Sequence, residues 1–233
     1  IAVSENTKQD LIRLLNTDPE KISVIYEGVN DDFKPIRAES QLAEVKGKYK
    51  LDKPYLLYTG VWRSHKNLPN LIKAFHILKS EYEFDGYLVI TGRRDPVYEE
   101  EVVGETQSLQ LENDVIFTGS VPDEDLIKLY CAASVYVFPS LYEGFGLPPL
   151  EAMQCGIPVC ASDTSCTPEI CGEENALFFN PHSPESIADK IYQVLSSQTL
   201  RNKLIQNGFE RVKTFSWEKM AQETLKIYNS LEN

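Results

Sequence analysis

From Tyr55 onward the chain alternates short apolar runs with stretches of helical periodicity, and few architectures accept that pattern. The runs span 55–60, 87–92, 115–119, 135–140, 158–162 and 176–180. Each is four to six residues long and continuously apolar, as strands buried on both faces of a parallel sheet must be. Helical spacing fills several of the gaps. Leu68, Leu71, Ile72, Phe75, Ile77 and Leu78 fall largely on one stripe over 68–82. Residues 123–132 open with an acidic first turn after Pro122, which the helix dipole favours. Such alternation predicts an α/β fold: a Rossmann-like open sheet of about six parallel strands, right-handed crossovers and helices on both faces.

Length and composition narrow the possibilities further. At 233 residues the chain has room for one domain and part of another. Residues 1–20 read as a remnant of a preceding amino-terminal domain, 21–215 as the main domain and 216–233 as a closing helix. Within 1–50, a helix is expected near 5–15, a strand over 21–26 and a helical, polar stretch over 36–53. Lys and Arg number 23 against 35 Asp and Glu, so the net charge of −12 argues against nucleic acid as a partner. No apolar run approaches the roughly 18 residues of a membrane span, and no signal peptide or polybasic anchor is evident. The expected location is cytoplasmic, or peripheral to the inner membrane face in an intact protein. Five cysteines without a CxxC pair, and three distant histidines, predict free thiols and no zinc site.

Three helices are expected near 184–196, 198–213 and 216–231. Ser183 and Pro184 supply the cap and first position of one of them. The last places Trp217, Met220, Ala221, Thr224, Leu225 and Tyr228 at helical spacing, which predicts a core face.

Two loops carry candidate chemistry. Strands ending in Gly60, Gly92 and Gly119 put three glycines at the carboxyl edge of one sheet, where ligands of open α/β folds bind. The segment Pro139-Ser-Leu-Tyr-Glu143-Gly144-Phe145-Gly146-Leu147-Pro-Pro-Leu-Glu151 runs from a strand end into a helix whose start the prolines specify. A helix N-terminus behind glycines is a natural anion site. Glu143 and Glu151 could each accept two hydrogen bonds from vicinal hydroxyls of a sugar. The loop Gly60-Val-Trp-Arg63-Ser-His65-Lys66-Asn67 brings two phosphate-suited cations to the same edge.

Taken in order, G-x5-K-N, a strand ending Thr-Gly, Phe-Thr-Gly-Ser-Val-Pro, and Pro-Ser-x2-Glu-Gly-Phe-Gly-Leu-Pro-x2-Glu-Ala resemble family 4 of the retaining glycosyltransferases. The resemblance covers about residues 1–231 and implies the carboxyl-terminal, donor-binding half of a GT-B architecture. It implies transfer of a hexose from a nucleotide diphosphate sugar to a hydroxyl of a glycan or lipid-linked acceptor, with retention and without metal. Lys66 would hold the donor diphosphate with Arg63, Gly146 and Leu147; Glu151 would take the ribose hydroxyls. Glu143 would stand beside the donor sugar and the reacting centre, as the candidate catalytic residue. Gly144, Phe145 and Gly146 would offer backbone groups to the sugar, and Gly60, Gly92, Arg93 and Val121 would line the nucleotide pocket. Many relatives have Arg directly before the Lys; His65 stands there here, which leaves open whether Arg63 or His65 meets phosphate. The Trp62–Leu68 loop is similar to that of mannosyltransferases using GDP-mannose. Two other readings remain: a sugar-nucleotide epimerase of the same architecture, and a non-catalytic α/β interaction module. An isolated half would bind donor with little turnover, its missing amino-terminal domain being the principal partner.

Overall fold

The computed structural model describes residues 1–231. The chain begins with helix α1 (Glu5–Leu15), capped by Ser4, and α2 (Glu39–Tyr49). There follow β1 (Tyr55–Thr59), α3 (Leu68–Ser80), β2 (Tyr87–Thr91), α4 (Pro96–Ser108), β3 (Val115–Gly119), α5 (Asp123–Ala132) and β4 (Val135–Phe138). The remainder comprises α6 (Leu147–Cys155), β5 (Val159–Ser162), α7 (Thr167–Cys171), β6 (Leu177–Phe179), α8 (Pro184–Ser196), α9 (Gln198–Val212) and α10 (Trp217–Leu231).

The six strands form one parallel sheet in the order β3-β2-β1-β4-β5-β6. Side-chain alternation along β1 explains its continuous apolarity. Tyr55 and Leu57 enter one core layer with Leu129, Leu150 and Met153, while Leu56 and Tyr58 enter the other with Phe75, Ile187 and Ile191. Helices α2, α5 and α6 cover the first layer, and α3, α4 and α8 the second. The apolar stripe on α3 is buried at Leu68, Leu71, Ile72, Phe75 and Leu78, with Ile77 only partly covered.

Three expectations need correction or addition. Residues 21–26 do not form a strand: Val24 makes a single parallel bridge with Ala2, and Pro19–Lys21 is a 3-10 turn. The short apolar run has no second strand to extend along. Helix α4 goes unanticipated because its acidic run carries little amphipathic pattern, and it buries only Tyr98, Val102 and Thr106. The stripe on α10 is not core. No residue of that helix is buried, and Trp217, Leu225 and Tyr228 are exposed. Amphipathic spacing marks a face that wants covering, and no element of the described chain lies over this one. All five cysteines are free thiols, and all but Cys131 are buried.

Candidate functional site

The connections leaving β1 and β4 diverge. After β1 the chain crosses through α3 on one face, and after β4 through α6 on the other. Since β1 and β4 are neighbours, a crevice opens beyond their carboxyl ends, the usual ligand position in a doubly wound sheet. Lys66 and Glu143 meet there. The Lys66 ammonium lies 2.5 Å from Glu143 Oε1, with only 17% and 14% of the two side chains exposed, so water screens the pair weakly. The loops are tied beside it: the Leu141 N–H donates to the His65 carbonyl at 2.8 Å. Asn67, in the left-handed conformation, donates through Nδ2 to the carbonyls of Pro139 and Pro181. Phe138 is a shared floor. The Lys66 ammonium stands 5.7 Å from its ring centroid, and a Cβ placed on Gly146 would meet its ring edge at 3.5 Å.

Gly146 precedes α6 with φ +96°, and no side chain caps that helix. Prolines at 148 and 149 remove two amide donors from its first turn, leaving the N–H groups of Gly146 and Leu147 as the donors at its start. The other backbone groups of the loop are largely engaged. The Glu143 carbonyl accepts from Ser165 and Cys166, the Gly144 carbonyl from Ser4 and Thr7, and the Phe145 carbonyl from Cys166. The Glu143 N–H donates to Ser165 Oγ. Phe145 turns its ring into the core against Tyr26 and Phe215. What the loop can offer a ligand is therefore amide donors and the Glu143 carboxylate, a set suited to anionic oxygens and hydroxyls.

Glu151, on the second turn of α6, accepts at Oε2 from the Tyr130 hydroxyl at 2.9 Å; no described donor reaches Oε1. Tyr130 continues to Thr59 at 2.8 Å, and Thr59 to Tyr136 at 3.2 Å. Burial raises the Glu151 carboxyl above its ordinary range, the Tyr130 hydrogen bond opposes this, and Asp123 adds to it. Tyr130, Tyr136 and Thr59 were not anticipated as support for the site. Their one sequence signal is Thr59, a hydroxyl closing an otherwise apolar strand.

The remaining candidates separate. Arg63 lines a cleft of about 320 Å³ with Arg93 and Arg94, and another of about 430 Å³ with Asp95 and Tyr98; neither includes Lys66. The two cations expected on one diphosphate thus stand at neighbouring but different positions. Burial, and then the Lys66 charge, hold the His65 imidazole below its ordinary value, with Glu143 opposing them. Gly60 and Gly92 have a structural reason of their own: a Cβ on Gly92 would sit 2.0 Å from the Gly60 carbonyl oxygen. Val121 packs, half-buried, against the core. A cleft of about 840 Å³ lies at the opposite edge of the sheet beside Leu51, Lys53 and Tyr87, and contains none of the motif residues. Among the described residues no three His, Cys, Asp or Glu side chains converge as a metal site requires, and no helix is long and apolar enough to cross a membrane.

Residues 41–211 match the family model described as glycosyl transferases group 1. The chain belongs to the group 1 glycosyl transferases. It is 34% identical over 233 residues to the O-antigen chain mannosyltransferase B of Escherichia coli, covering 99% of this chain and 60% of that protein. A serotype-specific mannosyltransferase of Escherichia coli, WbdA, is 31% identical over 232 residues, which is 99% of this chain and 28% of that one. Among solved structures, a glycosyltransferase from Rickettsia africae ESF-5 superposes with a TM-score of 0.89 at 27% identity, over all of this chain and 63% of that one. This group 1 chain therefore spans about 60% of the length of the first relative and of the solved structure, and under a third of WbdA. Its Rossmann-like sheet is the one they share, and the Lys66 and Glu143 motifs both lie within the matched residues.

Proposed function

We propose that this chain is the donor-binding half of a retaining hexosyltransferase, moving mannose from a nucleotide diphosphate sugar to a hydroxyl of a glycan or lipid-linked acceptor. The observation that carries the reading is the Lys66–Glu143 pair, held beside the N-terminus of α6 at the topological switch point. As the bond between the anomeric carbon and the phosphate oxygen breaks, negative charge grows on the departing diphosphate. Lys66 and the Gly146 and Leu147 amides stabilise that charge, and their fixed positions spare reorganisation during the reaction. They need no metal to do so. Glu143, released in part when Lys66 turns to phosphate, faces the sugar, and Glu151 takes the ribose hydroxyls through its unpartnered Oε1. Arg63 and Arg93 serve the nucleotide side from the adjoining cleft.

Mannose is favoured over other hexoses by the names of the relatives at 31–34% identity. The second wall of the cleft belongs to an amino-terminal domain. The exposed apolar faces of α1, at Leu14 and Leu15, and of α10 are consistent with such a neighbour. The half alone binds donor and turns over little, in the cytoplasm or against the inner face of a membrane.

Calorimetric titration with GDP, UDP, ADP and their hexose conjugates tests this. One nucleotide should bind, and both Lys66→Ala and Glu151→Ala should weaken it by tenfold or more, corresponding to about 1.4 kcal/mol. Binding of no nucleotide, or binding indifferent to both changes, overturns the reading.

A further inference from the structure

We infer that one face of α1 is a positioning arm for the Glu143 loop; the functional meaning of this rests on the donor-binding reading above. The argument begins with spacing. Ser4, Thr7 and Asp10 recur every three residues and therefore lie along one side of the helix and its cap. All three reach the same short segment, some 130 to 140 residues away in the chain. Ser4 Oγ donates to the Gly144 carbonyl at 2.7 Å while accepting the Thr7 N–H, and Thr7 Oγ1 lies 3.1 Å from that same carbonyl. Asp10 accepts from the Tyr142 hydroxyl at 2.6 Å. Residue 143 is thus flanked on both sides by groups that α1 holds.

Glu143 itself is reached through one intermediary. Ser165 Oγ accepts the Glu143 N–H and donates to the Glu143 carbonyl, and the Asn6 amide lies 3.3 Å from that hydroxyl. Ser165 adopts a left-handed conformation at φ +56°, a strained setting for a residue other than glycine, and the one that presents its hydroxyl here. The arm is anchored from behind. The Glu169 carboxylate accepts the N–H groups of Glu5 and Asn6, at the first turn of α1, and the Tyr26 hydroxyl. Arg211 fixes the segment carrying Glu169 through the carbonyls of residues 169 and 170.

A helix that only needed capping would use Ser4 and stop. Here the cap hydroxyl is fully buried and shared with the loop, and the next two turns repeat the contact. Three successive residues of the loop, Tyr142, Glu143 and Gly144, are held directly by α1 or through Ser165. Lys66 then meets a carboxylate whose backbone is fixed, which is the condition for preorganised binding. Ser4, Thr7 and Asp10 are positioning residues: their contacts are with the loop.

The test uses the Ser4→Ala/Thr7→Val double variant and the conservative Thr7→Ser, each checked by urea unfolding. Amide exchange of residues 142–147 and titration of the preferred nucleotide sugar are the readouts. The double variant should exchange faster at 142–147 than the parent and bind donor about tenfold more weakly, with Thr7→Ser close to the parent. Unchanged loop exchange in a folded double variant overturns the inference, because a purely capping role predicts loosening of α1 alone. Faster exchange with unchanged donor affinity overturns it equally, since the loop would then move without consequence. If the parent protein binds no nucleotide, the donor-binding reading fails, and the exchange experiment still decides whether α1 holds the loop.

Discussion

Helices α8 and α10 are built on the same plan, an apolar stripe at helical spacing with polar residues behind it. On α8, Ile187, Ala188, Ile191 and Val194 are completely buried between α3 and the sheet. On α10, Leu225 and Tyr228 remain 58% and 59% exposed, and nothing on that helix is buried. Periodicity states that a face must leave water; it does not state what will cover it. The cover of α8 lies within this chain, and that of α10 does not lie among the described residues.

The sharpest way to break this contrast is to cut one side chain from each stripe. Ile191→Ala removes buried methyl groups and leaves a cavity, so it should lower the unfolding free energy by about 2–5 kcal/mol. Leu225→Ala removes a side chain that water already reaches and should stay within about 0.5 kcal/mol. Urea unfolding at a common denaturant slope measures both. Equal losses would mean that α10 is packed in solution, through self-association or a rearrangement.

The same contrast explains which parts of the molecule were legible in the sequence. Strands buried on both faces need continuous apolar runs, so the central strands could be read to within two residues, as could the edge strands β3 and β6, which are only partly buried; glycines close β1, β2 and β3 alone. The motif at 139–151 could be read because glycines and prolines constrain backbone locally. What could not be read depends on partners distant along the chain. Residues 21–26 look like a strand and lack a neighbour to pair with beyond Ala2. Tyr130 and Thr59 look like core residues, and their hydroxyls support Glu151 only because the sheet order brings them together. The α1 contacts to Tyr142 and Gly144 join opposite ends of the chain and leave no local trace. Arg63 and Lys66 look like one clamp, yet Lys66 pairs with Glu143 while Arg63 lines a cleft with Arg93 and Arg94.

Glycines 144 and 146 sharpen the comparison on a smaller scale, since the sequence presents them as equals. Gly146 holds φ at +96°, where a side chain is strained, so Gly146→Ala should cost about 1–3 kcal/mol. A Cβ on Gly144 would meet Val3 and Thr7 at 3.7 and 3.9 Å, ordinary contact distances, so Gly144→Ala should change stability by less than about 0.5 kcal/mol. Loss of donor binding in a fully stable Gly144→Ala protein would show that ligand, rather than fold, requires the missing side chain there. Loss of stability at Gly144 would instead assign that glycine to the fold.

Two carboxylates extend the argument from apolar faces to charge. Glu151 is half-buried, and that burial raises its carboxyl above the ordinary value of 4.5; Glu185, in the first turn of α8, is exposed and lies below it, chiefly through the Ser183 hydroxyl. The signs then differ. Glu151 favours the fold in its protonated form, below about pH 4.5, and that contribution is lost as pH rises through its folded value. Glu185 favours the fold when ionised, and that contribution is lost as pH falls through its depressed value. Glu151→Gln keeps an acceptor for Tyr130 and removes the buried charge, so it should be more stable than the parent at pH 7, the difference vanishing toward pH 4. Glu185→Gln should show no gain at pH 7. Unfolding curves across this pH range decide the matter: a Glu151→Gln protein no more stable than the parent at pH 7 would mean that solvent already relieves the charge. A protein that is more stable yet fails to bind nucleotide would show that this chain keeps a destabilising charge under cover because its ligand needs one there.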